Sequence, residues 1–120
     1  MIGSFRDLDV YRQAYALMFE IHTLVKSIPA YERTDLVSQM RRASKSIPAN
    51  IAEGWAKRRS EKEFKKFLDN ALGSANEMEV HVEIAKDLAY IGKEIGDDLL
   101  DRYKKLGGML VNLRNNWRTY

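Results

Sequence analysis

The stretch Gln39 to Arg59, QMRRASKSIPANIAEGWAKRR, decides how this chain is read. At about 100° per residue, Leu36, Val37, Met40, Ala43, Ser44, Ile47, Pro48, Ile51, Gly54 and Trp55 fall on one side of a helix. The opposite side carries Arg41, Arg42 and Lys45, with Ala49, Ala52 and Ala56 between them, and Arg59 projects onto the same arc. Pro48 sits near the middle, where proline costs about 3 kcal/mol in an ordinary helix, so packing must hold the segment together. It frees the carbonyl of Ser44 and is expected to bend the helix. The helix should begin between Glu32 and Asp35 and end between Lys57 and Arg59.

The flanking sequence repeats the helical period. Upstream, Val10, Ala14, Leu17, Ile21, Leu24 and Ile28 step by four and three, predicting a first helix from about Asp7 to Ile28, closed by Pro29. Tyr11, Tyr15, Met18 and Val25, interrupted by His22, widen its apolar face beyond a coiled-coil seam, which implies more than one neighbour. Downstream, Ser60 followed by Glu63 reads as a capping box opening a third helix that continues to about Tyr90. Its seam, Phe64, Leu68, Ala71, Ala75, Met78, Val82, Ala85 and Ala89, is thin, so helices should pack closely there. Gly92 stands where a helix C-cap is expected. A fourth helix, Lys93 to Trp117, carries Leu99, Tyr103, Leu106, Leu110, Leu113 and Trp117. Gly107 and Gly108 inside it cost about 1 kcal/mol each relative to alanine, which close contact or a local bend would explain. Four long helices with short turns predict an all-α, antiparallel up-down-up-down four-helix bundle in a single domain, residues 1–120.

Composition narrows the function classes. The 120 residues, 45% apolar and 31% charged, suit a folded domain that buries roughly two-thirds of its surface. There is no cysteine, which excludes disulfides, zinc–thiolate sites and thiol catalysis. No apolar stretch approaches the ~20 residues of a membrane span. The opening MIGSFRDLDVY lacks a signal-peptide core, so a cytoplasmic location is expected. The net charge of +3 hides segregation. Arg33 to Lys66 holds ten Lys/Arg against four acids, and Asp69 to Asp101 holds nine acids against two lysines. Arg102 to Tyr120 carries five bases and no acid. Solvated helices alone can show such a pattern; a basic surface for nucleic acid or self-association is the functional reading.

The strings QxRRAxxSIPxNIAEG (Gln39 to Gly54), S-x-x-E-F (Ser60 to Phe64) and ALGS (Ala71 to Ser74) resemble the four-helix-bundle family of the 23S rRNA intervening sequences. These are bacterial reading frames within insertions in large-subunit ribosomal RNA genes. The resemblance covers about Asp7 to Trp117 and implies a homopentamer around a central channel. It is also similar in fold to accessory proteins of diversity-generating retroelements, which form basic pentamers. The family's biochemical function is poorly defined. Trp55 replaces the smaller or phenylalanine-like residue usual after Glu53-Gly54, a difference read as packing.

Enzymatic activity finds no motif. Paired Glu-x-x-His motifs are absent, because Phe19 precedes His22 by three and Met78 precedes His81 by three. Glu77 and His81 stand one turn apart, and His81 could share a metal with Glu77 or Glu83, but a satisfied or solvent-facing histidine is the reading preferred. Phosphate-binding loops and serine elbows are missing. No metal or other cofactor is expected, and the protein reads as non-enzymatic. The candidate nucleic-acid-binding residues are Arg41, Arg42, Lys45, Lys57, Arg58, Arg59 and Lys62, thickened by Lys65 and Lys66. With few aromatics expected on that surface, binding of RNA or DNA should be backbone-driven and salt-sensitive. Pro48, Asn50, Glu53 and Gly54 are assigned to structure or subunit contact. The competing class is a structural or adaptor protein that binds another protein and uses its basic residues, through pairs with acids of helix 3 or a neighbouring subunit, for assembly; the wide face of helix 1 and the Ala49/Ala52/Ala56 strip of helix 2 would then be assembly surfaces.

Overall fold

The computed structural model describes residues 2–117. Four helices account for most of them: α1 (Asp9–Leu24), α2 (Leu36–Ala56), α3 (Glu61–Asp87) and α4 (Lys93–Asn116). The first helix is shorter than its periodicity suggests. A 3-10 turn at Phe5–Asp7 precedes it, closed by a capping box between Ser4 and Asp7. Leu8 then takes extended backbone, and at the far end Val25–Ser27 tightens into a second 3-10 turn ahead of Pro29. Tightening turns the next side chain inward, so Val25 is buried while the predicted Leu24 is only half-buried.

Cross-helix contacts run in opposite sequence directions, which makes neighbours antiparallel. Ser74 donates to Ser46 at 2.9 Å and Gly54 abuts Phe64 and Phe67, pairing α2 with α3. Asp69 meets Arg114 and Lys86 meets Asp97, pairing α3 with α4. Glu20 meets Arg102 across the fourth side, between α1 and α4. The bundle is elongated, 49 × 24 × 21 Å. All the expected apolar positions of α2 are buried except Trp55, which is half-buried.

The thin seam of α3 does what its small residues allow. Ala71, Ala75 and Ala85 are fully buried, so α2 and α4 come close on either side. The approach of α2 is tight at Gly54, where an added Cβ would lie 2.9 Å from the Phe67 Cβ and 3.4 Å from the Phe64 carbonyl oxygen. The helix passes uninterrupted through Pro48. Ser44, buried beside it, donates to the Arg41 carbonyl at 3.1 Å.

Three local expectations need correction. Only half of the capping box at Ser60 forms: its hydroxyl accepts from the Glu63 amide, while the Glu63 carboxylate faces Lys66 at 3.6 Å. Gly92 caps the start of α4, not the end of α3. The left-handed residue that ends α3 is Ala89, φ 60°, with Tyr90 N–H donating to the Ala85 carbonyl and Ala89 N–H to that of Lys86. That is a Schellman closure on a residue with a Cβ, so Ala89 is exposed and outside the α3 seam. Of the paired glycines in α4, Gly107 is buried against Leu72, but nothing lies within 4 Å of where a Gly108 Cβ would stand. Close contact within the chain explains the first and not the second.

Two substitutions with opposite signs check this packing. Gly54→Ala should destabilise by about 1–3 kcal/mol, because the backbone of α3 must move. Gly108→Ala should stabilise by up to about 1 kcal/mol through helix propensity. Urea denaturation of both variants reads the result; equal effects at the two sites would show that the α2–α3 approach is not tight.

Candidate nucleic-acid interface

The basic residues of α2 divide along its outer ridge. Arg41 and Lys45 lie on the side toward α1, and Arg42 on the side toward α3, where it lines a hollow of about 360 Å³ with Ser46, Ser74 and Glu77. All three are exposed, and none has an ion pair among the described residues. Pairing of Arg41 and Arg42 with acids of α3, one of the arrangements considered from sequence, is therefore not formed within the chain. Nine of the other sixteen described Lys and Arg side chains are ion-paired. Arg12 pairs with Asp9, Lys65 with Glu61, Lys93 with Asp97, Lys105 with Asp101 and Arg114 with Asp69.

The turn after α2 is a second, separate basic group. α2 ends at Ala56, so Arg59 is not on the helical arc onto which it projects in sequence. Lys45 and Lys57 are twelve residues apart, about 18 Å along a helix. Two of the turn's cations are engaged in holding the end of the bundle. Arg58 lies over the Trp55 ring at 4.1 Å and donates to the Trp55 carbonyl at 2.9 Å. Lys57 sits 3.8 Å from Glu53 and over the Phe67 ring at 5.1 Å. Trp55 meets Trp117 edge-on, and Trp117 packs on Phe64 with centroids 4.4 Å apart. Trp55 thus belongs to an aromatic closure of this end. Arg59 and Lys62 remain exposed without an ion pair among the described residues.

The residues around Pro48 face inward or along the α2–α3 seam. Pro48 and Gly54 are buried, and Gly54 touches α3 of its own chain. Asn50 donates to the Ser46 carbonyl at 2.8 Å and to the Ser46 hydroxyl at 3.0 Å. Glu53 is exposed. The five bases counted from Arg102 onward do not form one patch: Arg102, Lys105 and Arg114 are paired, Lys104 is exposed, and Arg118 lies outside the described residues.

Aromatic side chains are more exposed near the basic ridge than the sequence suggests. Tyr15 is 50% and Phe19 66% exposed, on the flank of α1 that borders Lys45 and Arg41. The signal lies in the second stripe of α1, which reads as an assembly face, but Phe19 falls outside that stripe.

Residues 6–112 match the family described as 23S rRNA-intervening sequence protein. The chain belongs to this family. A crystal structure of a protein with unknown function from the S23 ribosomal protein family, from Bacteroides thetaiotaomicron VPI-5482, superposes with a TM-score of 0.80. It shares 24% identity over 89% of this chain and 96% of that one, a likeness of fold. Comparison with curated proteins finds no match. Membership of the 23S rRNA-intervening sequence family accounts for the architecture and for the string through Pro48, and assigns no reaction.

Two buried polar groups remain. His81 is 7% exposed, with Nε2 3.0 Å from Glu77 Oε2 and Nδ1 lacking a partner among the described residues. No group of three His, Cys, Asp or Glu side chains able to hold a metal occurs among those residues. No helix there is long and apolar enough to cross a membrane. The Tyr103 hydroxyl is buried without a partner among the described residues, and burial, reinforced by the nearby Glu20 charge, pushes its ionisation upward. Beside it Arg102 forks onto both oxygens of Glu20 and also reaches Asp98 at 3.3 Å. Hydrogen bonding by Arg102, with its charge adding, holds the Glu20 carboxyl below its ordinary 4.5, against a smaller opposing effect of burial.

The sign of that shift sets an acid sensitivity. A carboxyl lowered on folding stabilises fully above its unfolded value, and the contribution is lost as pH falls through the folded one. Stability should therefore decline below about pH 4.5, with the Glu20–Arg102 pair contributing. Glu20→Gln should flatten that limb in urea melts across the acid range. An unchanged pH profile would mean the pair does not clamp α1 to α4.

Proposed function

We propose that this protein is a non-enzymatic, self-associating four-helix module that binds nucleic acid through the cationic ridge of α2, with Arg59 and Lys62 of the α2–α3 turn region assisting. One observation carries the reading: Arg41, Arg42 and Lys45, clustered within two turns of one helix, stand exposed with no carboxylate partner among the described residues. Arg41 with Lys45, and Arg42 with Lys45, are like charges one turn apart. Each such pair costs a helix roughly 0.2–0.5 kcal/mol. Folding gains nothing from this arrangement, whereas a polyanion does, because each phosphate neutralised releases counterions. Copies assembled in a ring, five by resemblance to the family, would repeat the patch.

Exposed apolar residues favour a second reading, an adaptor that binds protein. Val80 is 56% exposed on the outer ridge of α3, in line with the exposed Gly73 and Asn76, where no helix of the chain covers it. This ridge suits contact between copies as well, which the first reading also requires.

The two are separated by salt and by charge reversal. Generic duplex DNA or RNA should bind at about 50 mM salt and dissociate at several hundred millimolar. The Arg41→Glu, Arg42→Glu, Lys45→Glu triple variant should abolish binding and keep its helicity. A triple variant that loses its assembly mass in light scattering instead would make these residues intersubunit partners. Lys45→Glu alone should raise stability by a few tenths of a kcal/mol while weakening binding.

A further inference from the structure

Helix α1 separates two grooves of opposite character. Toward α4, a hollow of about 540 Å³ is lined by three carboxylates, Glu20, Glu94 and Asp98, together with Phe19, Ile95 and Leu99. Toward α2, two consecutive hollows of about 690 and 260 Å³ follow the helix pair. Lys26, Arg33 and Arg41 line the first and Lys45 the second, and no carboxylate lines either. All four cations are exposed and without an ion pair among the described residues. The cationic groove runs alongside α1 from Tyr11 to Lys26, fifteen residues or about 22 Å.

Its floor and wall are not those of a plain phosphate groove. Tyr15 and Phe19, one turn apart on α1, stand half to two-thirds exposed beside the cations. Tyr11 is held behind Tyr15 by Phe5, whose ring meets it edge-on at 4.9 Å. The facing wall of α2 is Pro48, Ala49 and Ala52, side chains too short to cover the rings. Aromatic faces interleaved with unpaired cations recognise stacked bases and phosphates together. A duplex keeps its bases stacked internally and offers these rings only its backbone. A single strand can turn bases out onto them.

We infer that the α1–α2 groove is a track for a single-stranded polynucleotide, with bases on Tyr15 and Phe19 and phosphates on Lys26, Arg33, Arg41 and Lys45. This rests on the nucleic-acid reading above and specifies the strand form that the site takes. Sequence preference should be weak, since every base has a face to stack.

Fluorescence anisotropy with labelled oligo(dT), oligo(U) and a blunt DNA duplex of equal length tests it at about 50 mM salt. Both single strands should bind at least ten-fold tighter than the duplex. Tyr15→Ala and Phe19→Ala should each weaken single-strand binding roughly ten-fold and leave duplex binding unchanged, while Tyr15→Trp retains it. Equal affinity for the strand forms, with indifference to both alanine variants, would overturn the track and leave the nucleic-acid reading standing. Absence of binding to all three probes would overturn both. A fall in light-scattering mass for either alanine variant would overturn the track in favour of a contact between copies.

Discussion

Where α2 passes α3, the missing side chain of Gly54 admits the Phe67 Cβ and the Phe64 backbone, and the buried alanines of α3 continue that close approach along the seam. The Ser46–Ser74 hydroxyl pair sits in the same strip. This tight central hairpin sets the positions of the outer helices. α4 packs along α3 through Leu99, Tyr103, Leu106 and Leu110, and α1 lies against α2. α1 and α4 then meet only sparingly. Their shared side is a hollow bridged by Glu20 and Arg102 in place of interlocking apolar side chains. An exposed ion pair of this kind contributes little on its own, typically under about 1 kcal/mol. The core of the other three sides, not the bridge, keeps the bundle closed.

From that geometry follows the distribution of charge. Several acids of α3 and α4, among them Glu61, Asp69, Asp97 and Asp101, find lysines and arginines one turn away or on the facing helix. α2 has Glu53 as its sole acid, near the far end, where it faces Lys57. Arg41, Arg42 and Lys45 are therefore left without a carboxylate partner among the described residues. The segregation seen along the sequence becomes segregation between faces, with α1 as the divide: carboxylates line its groove with α4 and cations its groove with α2.

Periodicity made the helices and most of the core legible, because a 3.6-residue apolar repeat has few alternatives over twenty residues. It fails where backbone hydrogen bonding changes class. The 3-10 turn at Val25–Ser27 rotates Val25 inward, and the left-handed Ala89 ends α3 without the glycine that such a position favours. Arg59 projects onto an arc that stops three residues earlier. The site was legible as a list of cations and not as a surface. Which of them are free depends on side-chain partners such as Trp55 beneath Arg58, and that pairing is a matter of rotamers and neighbours across the bundle end. Phe19, by contrast, lies across the helix from the Val10–Ile21 seam, so its exposure was legible in the periodicity.

Single exposed apolar side chains are ordinary on a protein surface and require no function. Tyr15 and Phe19 differ because of their company. They are neighbours on one helix and border the cationic groove, Tyr15 facing a wall of proline and alanine and Phe19 standing on the crest between that groove and the acidic one. Pro48 contributes twice here. It removes one backbone donor from α2, a local cost that the surrounding buried residues of α2 and α3 sustain, and it presents a short, rigid apolar wall toward α1. A long side chain at Ala49 or Ala52 would fill the groove and shield the rings; an acid at either place would cancel Lys45. The small-residue strip of α2 therefore leaves both the positive potential and the aromatic faces open on the same side of the molecule.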